Sequence, residues 1–332
     1  MPQPITSPAR QGITLLDGGT ATELQRRGIT VAAPWWTTTA LRSQAGRAVM
    51  REVHADFIAA GAEVITANTF RTSRYSLTAT GTTDAEAEAL AKAALDEARA
   101  ARAQTCIASG TVTRAATIAA SVPPLGDCYQ PEQVPPDEIL RAEHRWHIER
   151  LGEYGAELIL AETMNTVREA LVVIAEGKRV GLPVWASFAC SNSGRLLSGE
   201  DAGAASRAAS AAGADAALVN CTLLPGCAAA LADMCTAGVK VPLGCYPNIE
   251  DRSGIPAGQH VNRYVKPAHS PATLAAAMTT LTAEWGLAIA GGCCGTSPQH
   301  IAAMRRAFNS PLSPIVRYPQ LAYVATEYSR NL

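Results

Sequence analysis

Short apolar runs recur along the chain, separated by segments of helical character. Eight of them read as strands, at residues 13–17, 63–67, 106–109, 158–161, 184–188, 216–220, 242–246 and 287–290. Most are nearly continuously apolar rather than alternating, as expected of strands covered on both faces. The same punctuation stands before several of them: Ala60-Gly61-Ala62-Glu63, Tyr154-Gly155-Ala156-Glu157 and Ala212-Gly213-Ala214-Asp215, with Gly181, Gly238 and Gly286 in comparable places. A glycine there can end a helix in the left-handed conformation and turn the chain into a strand. The repeated unit is therefore helix, glycine, strand.

The intervening helices are also legible. Thr83 with Glu86 forms a capping box before an alanine-rich helix at 84–103. Pro136-Asp137 introduces a second helical segment containing Ile139, Leu140, Trp146, Ile148 and Leu151. Eight strand-helix units predict an α/β fold, a single-domain (β/α)8 TIM barrel over residues 13–308, with an N-terminal tail at 1–12 and a C-terminal tail at 309–332. An open doubly wound sheet fits the pattern too, but the strand count favours the barrel. Two long connections, 110–136 and 247–271, follow strand ends and read as lids or binding segments.

Composition narrows the chemistry. With 48% hydrophobic and 17% charged residues, the 332-residue chain can bury a large core. Its 28 basic and 29 acidic residues leave a net charge of −1, which gives no broad field for nucleic acid or anionic lipid. No apolar run of about 18 residues appears, and residues 1–10 do not form a secretory signal, so a soluble, cytoplasmic protein is expected. Nine cysteines, an odd number without disulfide rhythm, are then expected to be buried, metal-bound or reactive.

In a parallel barrel all strand C-termini open on one face, where active sites form. The polar residues at those ends are Asp17-Gly18-Gly19, Asn68-Thr69, Glu162-Thr163, Asn220-Cys221, Asn248 and Gly291-Gly292-Cys293-Cys294-Gly295. Adjacent cysteines point to opposite sides of an ideal strand, but the flanking glycines can bend the chain so that one atom touches both sulfurs. Cys221 supplies a third thiol. Three cysteine ligands with an open fourth position describe a catalytic zinc site, the alternative being small buried residues in a glycine-rich turn. Cys106 and Cys245 read as strand residues, Cys190, Cys227 and Cys235 as structural or surface thiols, and Cys128 falls unassigned in a loop.

Other chemistries fit less well. His144 and His147 share a helix face but lie outside the barrel. No lysine stands at a strand end for Schiff-base chemistry, and no dinucleotide or phosphate-loop motif occurs. Asp17 and Glu162 alone could serve a glycoside hydrolase or another barrel hydrolase or lyase, a reading that ignores the thiols.

Six stretches, in this order, resemble the homocysteine S-methyltransferase family: Leu16-Asp17-Gly18-Gly19-Thr20, Ala67-Asn68-Thr69-Phe70, Glu162-Thr163, Asn220-Cys221, Tyr246-Pro247-Asn248 and Gly291-Gly292-Cys293-Cys294-Gly295-Thr296. The resemblance implies Zn2+ on Cys221, Cys293 and Cys294, with the acceptor thiol as fourth ligand. It further implies that Asp17, Gly18 and Glu162 hold the amino acid part of homocysteine, with backbone N–H groups near Gly18 and Ala67 suited to its carboxylate. Asp17 and Glu162 are the candidate catalytic acids, and Asn68, Asn220, Asn248 and Trp36 complete the candidate substrate-binding set. The implied partners are a small thiol acceptor and an onium methyl donor. The family's betaine enzymes place tyrosines where this chain has Arg71 and Thr163. A cation at Arg71 repels an onium group unless it meets the donor's carboxylate. S-methylmethionine is therefore favoured as donor over betaine, with S-adenosylmethionine an alternative. A family turn containing Gly-Pro after strand three is missing from 109–114, which leaves open a different thiol or a selenol as acceptor. A zinc- or thiol-binding barrel without turnover is the alternative that is not an enzyme.

Overall fold

The computed structural model describes residues 12–109, 116–255 and 261–309. Its strands are β1 (Thr14–Leu15), β2 (Val64–Ala67), β3 (Thr117–Val122), β4 (Leu158–Met164), β5 (Val184–Ala189), β6 (Ala216–Asn220), β7 (Leu243–Tyr246) and β8 (Ile289–Ala290). All ladders are parallel, β2 to β8 pair in chain order, and β8 pairs with β1. A parallel bridge between Leu16 and Val64 joins β1 to β2 and closes the ring. The fold is a (β/α)8 barrel and not an open sheet.

Side-chain parity builds the two layers. Leu158 and Leu160 of β4 and Ala216 and Leu218 of β6 pack with Leu16, Val64 and Ile289 in one buried cluster inside the ring. Their neighbours Ile159, Ala161, Ala217 and Val219 belong to the larger core beneath the helices. Continuing the period of two sends Glu162 and Asn220 to the inner side at the top of the barrel. The turn before β6 shows how each helix hands over to a strand: Gly213 takes φ +98°, in the left-handed region that favours glycine. The capping box is present, with Glu86 N–H donating to Thr83 Oγ1 at 3.3 Å and Thr83 N–H to Glu86 Oε2 at 2.8 Å.

Strand three departs from the sequence reading. Residues 106–109 are not a strand but the last turn of the helix Asp84–Ser109, which runs past the predicted end at 103. Thr105 Oγ1 donates to Ala101 O at 2.8 Å within that helix. The strand itself, Thr117–Val122, carries the β-branched Thr117, Ile118 and Val122, whereas the apolar run at Cys106-Ile107 simply continues the alanine-rich helix before it. The connection after β3 accordingly starts at Pro123-Pro124. Residues 110–114, where the missing family turn was sought, lie outside the described residues and precede the strand. No helix among the described residues is long and apolar enough to cross a membrane.

Candidate active site at the barrel mouth

The strand ends enclose a cavity of ≈ 210 Å³. Asp17, Gly18, Ala67, Asn68, Glu162 and Trp36 line it, as do Cys221, Cys293 and Cys294. Asn220 and Asn248 do not. The side chain of Asn248 caps its own turn, accepting Glu250 N–H at 2.9 Å.

Asn220 is wholly buried and ties three strand ends together. Its Oδ1 accepts from Thr163 N–H at 3.1 Å and Ser187 Oγ at 2.7 Å, and its Nδ2 donates to Thr163 Oγ1 at 2.8 Å. These bonds hold Thr163 at φ 60°, an uncommon conformation for a β-branched residue, and the next residue, Cys221, sits at φ 50°. Trp36, at φ 49°, is the third non-glycine residue in this region, and all three line the cavity. Backbone strain among the described residues is thus concentrated at the mouth, where surrounding contacts over-determine it.

The double cysteine sits in a turn fixed from both sides. Gly292 N–H donates to Asp17 O at 3.0 Å, Cys293 N–H to Pro247 O at 2.9 Å, and Ile249 N–H to Cys294 O at 2.9 Å. Thr296 Oγ1 accepts from Gly19 N–H at 2.9 Å and packs where a Cβ on Gly292 would stand. This turn brings the two thiols to Cys221: the three sulfurs lie within 4.8 Å of one another, with Cys221 to Cys293 at 2.8 Å and Cys293 to Cys294 at 4.0 Å. All three cysteines are free thiols. Thiolates bound tetrahedrally at about 2.3 Å stand about 3.8 Å apart, near the Cys293–Cys294 separation and wider than that of Cys221 and Cys293, so the donor set fits a zinc ion that would draw the closer pair apart. Hydrogen bonds from Cys293 and Cys294 draw the Cys221 thiol down to about 5, while sharing with Cys221 pushes both of theirs up. The cluster thus gives up its first proton readily, as a cation site requires.

Two acids line the same cavity. Asp17 accepts Thr66 N–H at 2.8 Å and Thr66 Oγ1 at 2.9 Å, and Glu162 accepts Ser121 Oγ at 2.5 Å. Burial pushes Asp17 up to about 7 against the lowering effect of Thr66. Burial also raises Glu162 to about 7, Asp17 adding to it and Ser121 opposing it. Two desolvated acids lining one cavity create a strong preference for a cationic partner.

Several cavity residues escaped the sequence reading. Thr66 and Ser121 orient the acids, and Phe70, Cys128, Tyr129 and Tyr246 form much of the wall. Ser121 was missed because β3 was placed too early. Cys128, in the loop after β3, faces the same cavity, but its sulfur stands outside the three-thiol group, and burial pushes it up to about 12. The helical histidines are structural: His144 Nε2 meets Glu169 Oε1 at 2.8 Å and His147 Nε2 meets Thr72 Oγ1 at 3.0 Å, all buried.

Residues 14–308 match the family model described as homocysteine S-methyltransferase. A homocysteine S-methyltransferase of Escherichia coli K12 is 29% identical over 310 residues, covering 89% of this chain and 95% of that protein. Selenocysteine Se-methyltransferase of Brassica oleracea var. italica is 24% identical over 320 residues, covering 89% and 88%. The crystal structure of the Escherichia coli homocysteine methyltransferase MmuM in its metallated form superimposes with a TM-score of 0.75 at 25% identity, covering 90% of this chain and 96% of that one.

Proposed function

The chain belongs to the homocysteine S-methyltransferase family, and from that premise we propose that it transfers a methyl group from S-methylmethionine to the thiol of homocysteine, with a zinc ion on Cys221, Cys293 and Cys294. The observation that carries the reading is the convergence of three free thiols on a cavity also lined by two buried acids. Zinc held by the three cysteines would lower the acceptor thiol's pKa and favour its nucleophilic thiolate.

The chain's own residues supply the rest. Glu162 and Asp17 receive the acceptor's ammonium group, whose charge favours their ionised forms. Thr66 and Ser121 keep the two carboxylates aimed by hydrogen bonds that need no reorganisation during reaction. Trp36, Phe70 and Tyr129 line the side from which an onium donor would be held, and aromatic faces attract such cations. The new sulfur–carbon bond forms as the donor's sulfur–methyl bond breaks, so the donor leaves as a neutral thioether and the acceptor becomes methionine. In such an in-line displacement, positioning supplies much of the acceleration. Because the triad must remain reduced, the reading also carries a cytoplasmic location.

The test is zinc content of protein purified without added metal, followed by methionine formation from homocysteine with S-methylmethionine, betaine and S-adenosylmethionine in turn. About one zinc per chain and preferred turnover with S-methylmethionine is the expected result. Absence of zinc after anaerobic reconstitution, or equal turnover by Cys221→Ser, refutes it.

A further inference from the structure

Arg71 is the cation of the cavity wall, and nothing among the described residues neutralises it. Its side chain is half-buried, its guanidinium lies 5.3 Å from the centre of the Phe70 ring, and Nη1 reaches Gly126 O only at 3.5 Å. Arg74, one turn on, shows the contrast: it is paired with both Glu143 and Asp84. The acids of the cavity are engaged with Thr66 and Ser121 and form no ion pair with Arg71. A guanidinium on a cavity wall without an ion-pair partner is a ready partner for a carboxylate, which it can bind through two parallel hydrogen bonds.

Two substrates bring two carboxylates. The acceptor's amino acid end belongs at the strand ends with Asp17 and Glu162. Arg71 instead stands beyond the end of β2, sharing its wall with Phe70 and with Cys128 and Tyr129 of the loop after β3. We propose that Arg71 anchors the carboxylate of the methyl donor, and so selects onium donors whose carboxylate lies several bonds from the onium centre. In betaine one methylene separates the charges, which would bring a second cation close to the guanidinium. In S-methylmethionine three carbons separate carboxylate from sulfonium, so the reacting cation stands apart from the guanidinium, while the α-ammonium beside the carboxylate, unlike a quaternary nitrogen, can offset its position by donating hydrogen bonds. The proposal rests on the donor reading above and assigns it a residue.

Calorimetric titration of the zinc-loaded enzyme with S-methylmethionine and with its carboxyl methyl ester tests it, because the ester keeps the sulfonium and loses the anion. Wild type should bind the acid about tenfold to a hundredfold more tightly than the ester. Arg71→Ala should bind the two alike, with donor KM raised far more than kcat falls and homocysteine affinity within about twofold of wild type. Arg71→Lys, which keeps the charge but not the fork, should recover part of the difference. Equal binding of acid and ester by wild type, binding of neither, or an Arg71→Ala defect confined to homocysteine overturns the proposal. Failure of wild type to form methionine from any onium donor would instead refute the underlying reading, and the comparison of acid with ester, needing no turnover, would still report on Arg71.

Discussion

Asn220 illustrates how a residue can matter to a site without touching it. Its amide makes three hydrogen bonds that hold Thr163 and the backbone leading into Cys221. Asn220→Ala should therefore destabilise the protein by about 2–3 kcal/mol in urea unfolding and also lower zinc retention, measured by elemental analysis. Cys128→Ser, by contrast, should leave zinc content unchanged, since its sulfur is not in the three-thiol group. The acids set a pH dependence. Asp17 and Glu162 keep their protons to about pH 7 when folded but lose them near pH 4 when unfolded. The folded state then holds more protons on these two groups across that interval, so their contribution to the stability of the metal-free protein should fall as pH rises from about 4 to 7, against the opposite contributions of the depressed His54, His147 and Cys221. Relative to wild type, Asp17→Asn/Glu162→Gln should therefore gain stability as pH rises from about 4 to 7 in thermal melts. The acids and thiols were legible because they end apolar runs. Thr66 and Ser121 were not, because a strand hydroxyl that orients a carboxylate looks in sequence like any other, and only the register of neighbouring strands distinguishes it.

At the level of elements, local chemistry was a dependable guide where it was self-contained. The Thr83 and Glu86 box involves residues three apart and forms as expected, so Thr83→Ala should cost about 1 kcal/mol in chemical denaturation with the site unaffected. Strand β3 was misplaced for the opposite reason. Two similar apolar runs follow one another there, and the one at Thr117–Val122 is fixed as the strand by pairing with β2 and β4, contacts far away in sequence. The Cys293-Cys294 turn lies between these cases: its glycines announced a bend, but its shape depends on Asp17, Pro247 and Thr296. A methyl group on Gly292 would meet the Thr296 side chain, so Gly292→Ala should release the turn and reduce zinc retention even if the barrel stays folded, as circular dichroism beside elemental analysis would show.

For the molecule as a whole, the barrel was readable because the same unit repeats, and a single misread strand did not change the count. A metal that binds only the folded chain should also stabilise it, by about 2.7 kcal/mol at a free concentration one hundred times its dissociation constant, and a chelator should lower Tm accordingly. The ring closes through β1, β2 and β8, and the thiols come from just after β6 and from the turn just after β8, itself pinned by the backbone at Asp17. No shorter stretch emerging from a ribosome contains all the ligands together with the strands that hold them. The first six strand-helix units can form while synthesis continues, but the complete ligand set must wait for the eighth strand to meet the first. A metal taken up by this ligand set would therefore arrive late in the making of each molecule, and its presence would certify that both ends of the barrel have met.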